Sequence, residues 1–180
     1  MELDRHERLR VLGEEIAKSF INQGAFVVLS GTNNDKLEKL SQKLGDNTKF
    51  IACNLSNSDE VDNLFAKAEE LAGGQIDILV CNAASNPFFG SMMDIPEDAF
   101  DKVMNNNIKS NHLLCQMVIP EMKERKDGSI IIVSSIGGLQ ASTVIGTYNI
   151  SKAADIMLVK NLAAEFGPDN VRTNAIAPGL

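Results

Sequence analysis

Tryptophan is absent from this chain of 180 residues, and tyrosine occurs once, at Tyr148. With aromatics at 5% and apolar residues at 44%, the core must be filled mainly by aliphatic side chains. Cysteine is scarce and odd in number. Cys53 and Cys81 lie in or beside apolar strand patterns and Cys115 in an apolar helical one. That arrangement argues against a disulfide framework and predicts three buried free thiols. Only two histidines exist, His6 and His112, too scattered for a ligand cluster, so no metal is expected. No basic run is present and the formal net charge is −7, which argues against nucleic acid or an anionic membrane as the main partner. An anionic cofactor is read locally and is not excluded by net charge. No apolar stretch is long enough to cross a bilayer. The N-terminus is charged rather than apolar, unlike a secretory signal, and the expected location is the cytoplasm.

What is present is a regular alternation of strand and helix patterns, without repeats or low-complexity tracts. It predicts crossover units and a parallel sheet, an α/β fold. Strands are expected over 25–29, 50–53, 76–81, 130–133 and 171–176. Helices are expected over 13–21, 35–44, 58–71 and 147–166, with a further helical region from 97 to 104 that resumes through 122. Ser58 is the expected cap of the 58–71 helix, with Val61, Leu64, Phe65 and Ala68 inward and Gly73-Gly74 ending it. The 147–166 helix is apolar in nearly every direction, through Ile150, Ala153, Ala154, Ile156, Met157, Leu158, Val159, Leu162, Ala163 and Phe166. A helix apolar all round is buried on more than one side. The helix carrying Leu113, Leu114, Met117 and Val118 is its expected neighbour.

The chemistry is carried by Tyr148 and by Lys152, four residues on. That spacing puts both on one helix face, one turn apart. A free phenol titrates near ~10, and a neighbouring ammonium favours the phenolate. The pair is therefore suited to moving a proton near neutrality. Upstream, Ser134 and Ser135 end the apolar run Ser129-Ile-Ile-Ile-Val133. A strand-end hydroxyl there can polarise a carbonyl oxygen while the tyrosine supplies the proton.

From Tyr148 outward the chain resembles the short-chain dehydrogenase/reductase family. Asn82-Ala83-Ala84 resembles its Asn-Ala-Gly motif, with Ala84 in place of glycine. Asn107 matches the helix asparagine, Ser135 the catalytic serine, and Tyr148-Asn-Ile-Ser-Lys152 the Tyr-x-x-x-Lys motif. Asn174-Ala-Ile-Ala-Pro178-Gly179 matches the segment that closes over the nicotinamide. The segment 86–90 is similar to that of bacterial carbonyl reductases, and the general look is similar to 3-oxoacyl-[acyl-carrier-protein] reductases. The resemblance implies a Rossmann-like doubly wound parallel sheet with helices on both faces. It implies Tyr148 as general acid/base, Lys152 lowering the phenol pKa and binding the nicotinamide ribose, Ser135 orienting the substrate oxygen, and Asn107 holding a water. It implies hydride exchange between a nicotinamide cofactor and a ketone or secondary alcohol, with a 3-oxoacyl thioester among the candidates. It also implies a homo-oligomer built through the helices that hold Leu113 to Val118 and Tyr148 to Phe166. Cofactor contacts are expected at Gly13, Gly31, Thr32, Asn33, Asn54, Leu55, Asn82, Ala83, Ala84, Tyr148, Lys152, Pro178 and Gly179. No acid stands at Gly31 to repel a 2′-phosphate, and Thr32 or Asn33 could donate to one, so NADP is favoured over NAD.

One family feature is missing. Gly13 falls where the last glycine of the Thr-Gly-x-x-x-Gly-x-Gly loop belongs, but His6, Glu7 and Val11 stand at the earlier positions. Residues 1–12 form an atypical charged segment that cannot be a buried central strand. Residues 13–180 read as a single Rossmann-like domain, incomplete at both ends. The alternative reading is a cofactor-free fragment that only associates with homologous subunits.

Overall fold

A computed structural model describes residues 5–179, and residues 1–4 of the charged segment lie outside the described residues. The chain falls into two compact units, Met1–Ile76 and Asp77–Leu180, each described by itself.

The first unit contains α1 (Arg5–Asn22), β1 (Val27–Gly31), α2 (Asn34–Leu44), β2 (Thr48–Ala52) and α3 (Ser58–Ala72). α1 starts eight residues earlier than the expected 13–21 helix. Its first turns, Arg-His-Glu-Arg-Leu-Arg-Val-Leu, consist largely of good helix formers without proline or glycine, so the helix propagates through them. Gly13 therefore lies inside a helix rather than in a loop before one. β1 and β2 pair in parallel, from Val27 opposite Thr48 to Gly31 opposite Ala52. Asn33 caps α2, its side chain accepting from Lys36 N at 2.9 Å. α3 is capped by Asn57, whose Oδ1 accepts from Asp59 N at 3.0 Å, so the expected cap at Ser58 is displaced by one residue. Val61 and Leu64 point inward as expected. Gly73 ends α3 at φ 88°, a left-handed position that glycine occupies without penalty. Glu14 of α1 bridges to Lys43 of α2 at 2.6 Å.

The second unit contains β3 (Ile78–Cys81), α4 (Glu97–Met104), a π-helical turn over Asn105–Lys109, α5 (Ser110–Arg125), β4 (Gly128–Val133), α6 (Gly146–Phe166) and β5 (Val171–Ile176). Its sheet has the order β3-β4-β5, all parallel. The central strand is the most apolar: Ile130, Ile132 and Val133 are fully buried, as a strand covered on both faces requires. The 97–122 helical region is continuous, its two α-helical parts joined by the π-helical turn. The three cysteines are free and buried. Among the described residues β1 pairs only with β2 and β3 only with β4. No helix is long and apolar enough to cross a membrane among the described residues.

Candidate active site

The second unit brings the end of β4 against the first turns of α6. Ser134, buried just past β4, donates its hydroxyl to Lys152 O at 2.8 Å. Its N–H donates to Ile176 O at 2.8 Å, which fixes the end of β5 to the same corner. The chain then makes a 3-10 turn over Ile136–Gly138. A Cβ built on Gly138 would lie 2.7 Å from the Lys152 carbonyl, so glycine is needed for this close approach to α6. Ser135 opens the turn, half-buried, its Oγ accepting from Gly137 N at 3.1 Å. Ile136 N donates to Pro178 O at 3.0 Å, and Gly179 lies beside the Ile136 side chain.

Tyr148 is half-buried in the first turn of α6. It lines a shallow recess of ≈ 10 Å³ together with Asn86, Phe88, Met92, Ile95, Val144 and Ile145. Lys152 follows one turn on, 1% exposed, its Nζ 5.8 Å from the centre of the Tyr148 ring. The ammonium donates to Val133 O at 2.9 Å and to Asp155 Oδ2 at 2.8 Å.

Asn107 sits in the π-helical turn and is fully buried. Its Oδ1 accepts from Ser85 N at 2.8 Å, and its Nδ2 donates to Ser85 O at 3.0 Å and to Ser151 Oγ at 2.9 Å. Ser151 Oγ in turn donates to Tyr148 O at 2.7 Å. Asn107 thus ties the loop after β3 to the turn of α6 that bears Tyr148. Asn82, Ala83 and Ala84 form the first part of that loop, directly beyond β3, with Ala83 exposed.

The remaining expected cofactor contacts belong to the first unit. Gly31 ends β1, and Thr32 and Asn33 are exposed just beyond it. The carbonyl oxygen of Asn33 is committed to capping α2, which leaves its amide nitrogen as the group able to donate. Asn54 Oδ1 accepts from Ser56 N at 3.1 Å, a local turn, and Leu55 is half-buried beside it.

Two residues of the second unit escape the sequence reading. Asp155 and Asn111 are fully buried, and Asn111 Nδ2 donates to Asp155 Oδ1 at 2.9 Å and to Asn107 O at 2.7 Å. Their signal lies in the spacing: Lys152 and Asp155 are three apart on one helix, Asn107 and Asn111 four apart on another. Burial pushes the Asp155 carboxyl above the ordinary carboxylate range, opposed by the Lys152 charge and by hydrogen bonds from Lys152 and Asn111.

Residues 9–180 match the family model described as short chain dehydrogenase. The chain belongs to the short-chain dehydrogenase family. It is 41% identical over 172 residues to dehydrogenase/reductase SDR family member 4 of Bos taurus, an alignment covering 94% of this chain and 61% of that protein. The chain thus spans about six-tenths of the length of the curated relatives it matches. Among solved structures, serine dehydrogenase from Escherichia coli is 28% identical, with a TM-score of 0.87, covering 93% of this chain and 77% of that one. A metagenomic short-chain oxidoreductase in complex with NADP is 29% identical at the same TM-score and the same coverage. These likenesses agree with the Rossmann-like parallel α/β architecture of the family.

Proposed function

We propose that the second unit carries the proton-handling half of an NAD(P)-dependent oxidoreductase acting on a ketone or secondary alcohol. The observation that carries this reading is Tyr148 lining a recess walled by Asn86, Phe88, Met92 and Val144 while Lys152 Nζ lies 5.8 Å from the centre of its ring. In this reading Tyr148 gives its proton to a carbonyl oxygen, or takes one from an alcohol. Ser135, at the turn beside α6, orients that oxygen by a hydrogen bond. Asn107 holds the Tyr148 turn in place through Ser151. The walls formed by Phe88, Met92 and Val144 favour a substrate with an apolar body, which is compatible with a simple ketone or a 3-oxoacyl thioester.

The described residues fit the nicotinamide end of a dinucleotide better than its pyrophosphate. Tyr148, Lys152, Pro178 and Gly179 belong to one corner of the second unit, joined by the bonds of Ser134 and Ile136. Those residues would hold the nicotinamide and its ribose. The chemistry a bound nicotinamide supplies is hydride transfer. Gly13, by contrast, is inside α1, where its N–H is not presented by a glycine-rich turn. NADP is preferred over NAD, as the NADP complex of a related oxidoreductase supports, because Gly31, Thr32 and Asn33 present no acid.

The position of Gly13 also favours a second reading, a cofactor-free chain that associates with homologous subunits. The outward-facing Ile150 and Met157 of α6, 45% and 54% exposed, support association through α5 and α6 in either case. Isothermal titration with NADPH and NADH separates the two. Micromolar binding, tighter for NADPH, supports the oxidoreductase; absence of binding supports the second reading. In a chain that turns over, Tyr148→Phe should abolish activity and leave cofactor affinity nearly intact, and retained turnover removes the assigned role.

A further inference from the structure

The residue that follows Tyr148 on α6 is buried against the turn that Ser135 opens. Asn149 is 8% exposed, and its Nδ2 donates to Gln140 O at 2.9 Å, just past the end of that turn. A Cβ built on Gly137 would overlap Asn149 Oδ1, and it would lie 3.2 Å from Asn149 Cγ and 3.4 Å from Ser135 Oγ. The Asn149 amide thus fills the space beside Gly137 where a side chain would go. Gly137 is not among the glycines with positive φ, so the backbone does not demand glycine there; the neighbouring amide does. Ser135 Oγ is held in the same corner, accepting from Gly137 N at 3.1 Å.

Asn149 Oδ1 is buried and has no hydrogen-bond partner among the described residues. An interior carbonyl oxygen without a donor costs free energy of the order that one hydrogen bond contributes. The Nδ2 bond and the unpartnered oxygen therefore offset each other, and Asn149 adds little net stability. A side chain kept for packing alone would not carry that oxygen. Such a breach of local satisfaction is expected where a residue serves a site.

We propose that Asn149 is a positioning residue for Ser135: it reaches from α6 to Gln140 O, lies over Gly137, and so sets the Ser135 hydroxyl relative to Tyr148. Its catalytic meaning depends on Ser135 orienting the substrate oxygen, as in the proposed function. Consecutive residues of α6 then carry the proton donor and the brace of the group that orients the acceptor. Gly138 fixes the other side of the same turn through its close approach to the Lys152 carbonyl. A displacement of about 1 Å in such a constellation is enough to cost about a hundredfold in rate.

Two double-mutant cycles test this, and the first needs no turnover. Gly137→Ala alone should lower the melting midpoint by roughly 2–12 °C, because its methyl meets the Asn149 amide. In an Asn149→Ala background that methyl is left with Ser135 Oγ at 3.4 Å, and the loss should shrink to about 2 °C or less. Asn149→Ala alone should melt within about 4 °C of the unaltered chain. Equal losses from Gly137→Ala in both backgrounds overturn the proposal. An Asn149→Ala chain that fails to fold also overturns it, since Asn149 is then a structural residue. The second cycle follows reduction of a ketone with NADPH. Asn149→Ala should lower kcat by roughly tenfold to a hundredfold, with KM for NADPH changed by less than about twofold. In a Ser135→Ala background the same substitution should lower kcat by less than about twofold further, because its effect passes through Ser135. The full loss in that background overturns the proposal. Where Ser135→Ala leaves no measurable rate, the first cycle decides alone. Failure to bind NADPH would sink the functional reading, and the first cycle would still decide whether Asn149 braces the turn.

Discussion

Asn107 offers the sharpest test of how the site is held together. Replacing it with leucine keeps roughly the same volume and removes three hydrogen bonds, at 2.8, 3.0 and 2.9 Å. Each is worth about 1 kcal/mol net. The Ser85 N–H is left inside the protein without the acceptor it had, which adds about 1–3 kcal/mol. Ser151 Oγ loses one donor but keeps its own bond to Tyr148 O. The expected loss is therefore about 4–6 kcal/mol, a large part of the roughly 5–15 kcal/mol typical of a whole domain. At about 2–4 °C per kcal/mol for a chain of this size, the midpoint should fall by roughly 10–20 °C.

Thermal melts followed by tyrosine fluorescence read this directly, since the only tyrosine lies on the helix turn that Asn107 supports. Asn107→Asp is the diagnostic companion. It keeps an acceptor for Ser85 N–H but sets a carboxylate oxygen against Ser85 O, so it should also destabilise. Asn105→Ala, in the same asparagine run, should stay within about 0.5 kcal/mol. If Asn107→Leu falls within about 1 kcal/mol of the unaltered chain, the Ser85–Asn107–Ser151 connection does not support the site, and the reasoning fails.

Other perturbations follow from the same geometry. Gly138→Ala drives a methyl to 2.7 Å from the Lys152 carbonyl, so calorimetry should show a loss of about 1–3 kcal/mol. Cys53 and Cys81 have thiols raised above their ordinary range, the first by burial and then by Glu60, the second by its bond with Cys115 and then by burial. Alkylation at neutral pH should therefore be slow in the native chain and complete on unfolding, and rapid native labelling counted by mass spectrometry would contradict this. The Asp155 carboxyl is raised in the fold, so the native state binds its proton more tightly than the unfolded chain does. Its contribution to stability is full below the unfolded value near ~3.9 and is lost as pH rises through the folded value. Urea unfolding from pH 4 upward should show Asp155→Asn gaining relative to the unaltered chain. Met157→Glu, on the exposed face of α6, should shift sedimentation toward smaller species if that face joins copies of the chain.

Much of the architecture is legible in the sequence because apolar runs and helix caps are local signals. The strand at 171–176 coincides with β5, and the ends of α2 and α3 fall where glycines mark them. The start of α1 is not legible in that way. A resemblance places a loop before Gly13, whereas Glu, Arg and Leu propensities with no breaker favour helix. The site is half legible. Tyr148, Lys152, Ser135 and Asn107 are found by their spacing and order, but what surrounds them is not. Asp155 hides among Ile150, Ala153, Ala154 and Ile156, in a helix that reads as apolar all round. Its burial depends on Asn111, which comes from a different helix and is 44 residues away in the chain.

The polar inner side of α6 carries a physical lesson about the site. In its first half the helix buries Thr147, Asn149, Ser151, Lys152 and Asp155, and it exposes Ile150 and Met157. Hydrophobic burial alone would set the helix the other way round. What offsets this is a connected set of bonds: Ser134 to Lys152, Lys152 to Asp155, Asp155 to Asn111, Asn107 to Ser151. A buried polar network is favourable only when its members are satisfied together, and removing one leaves its neighbours with desolvated groups. The same bonds that orient Tyr148 toward the recess therefore fix which side of α6 faces inward. The apolar outer side follows as a consequence, and it is the surface on which association with another copy would bury the most.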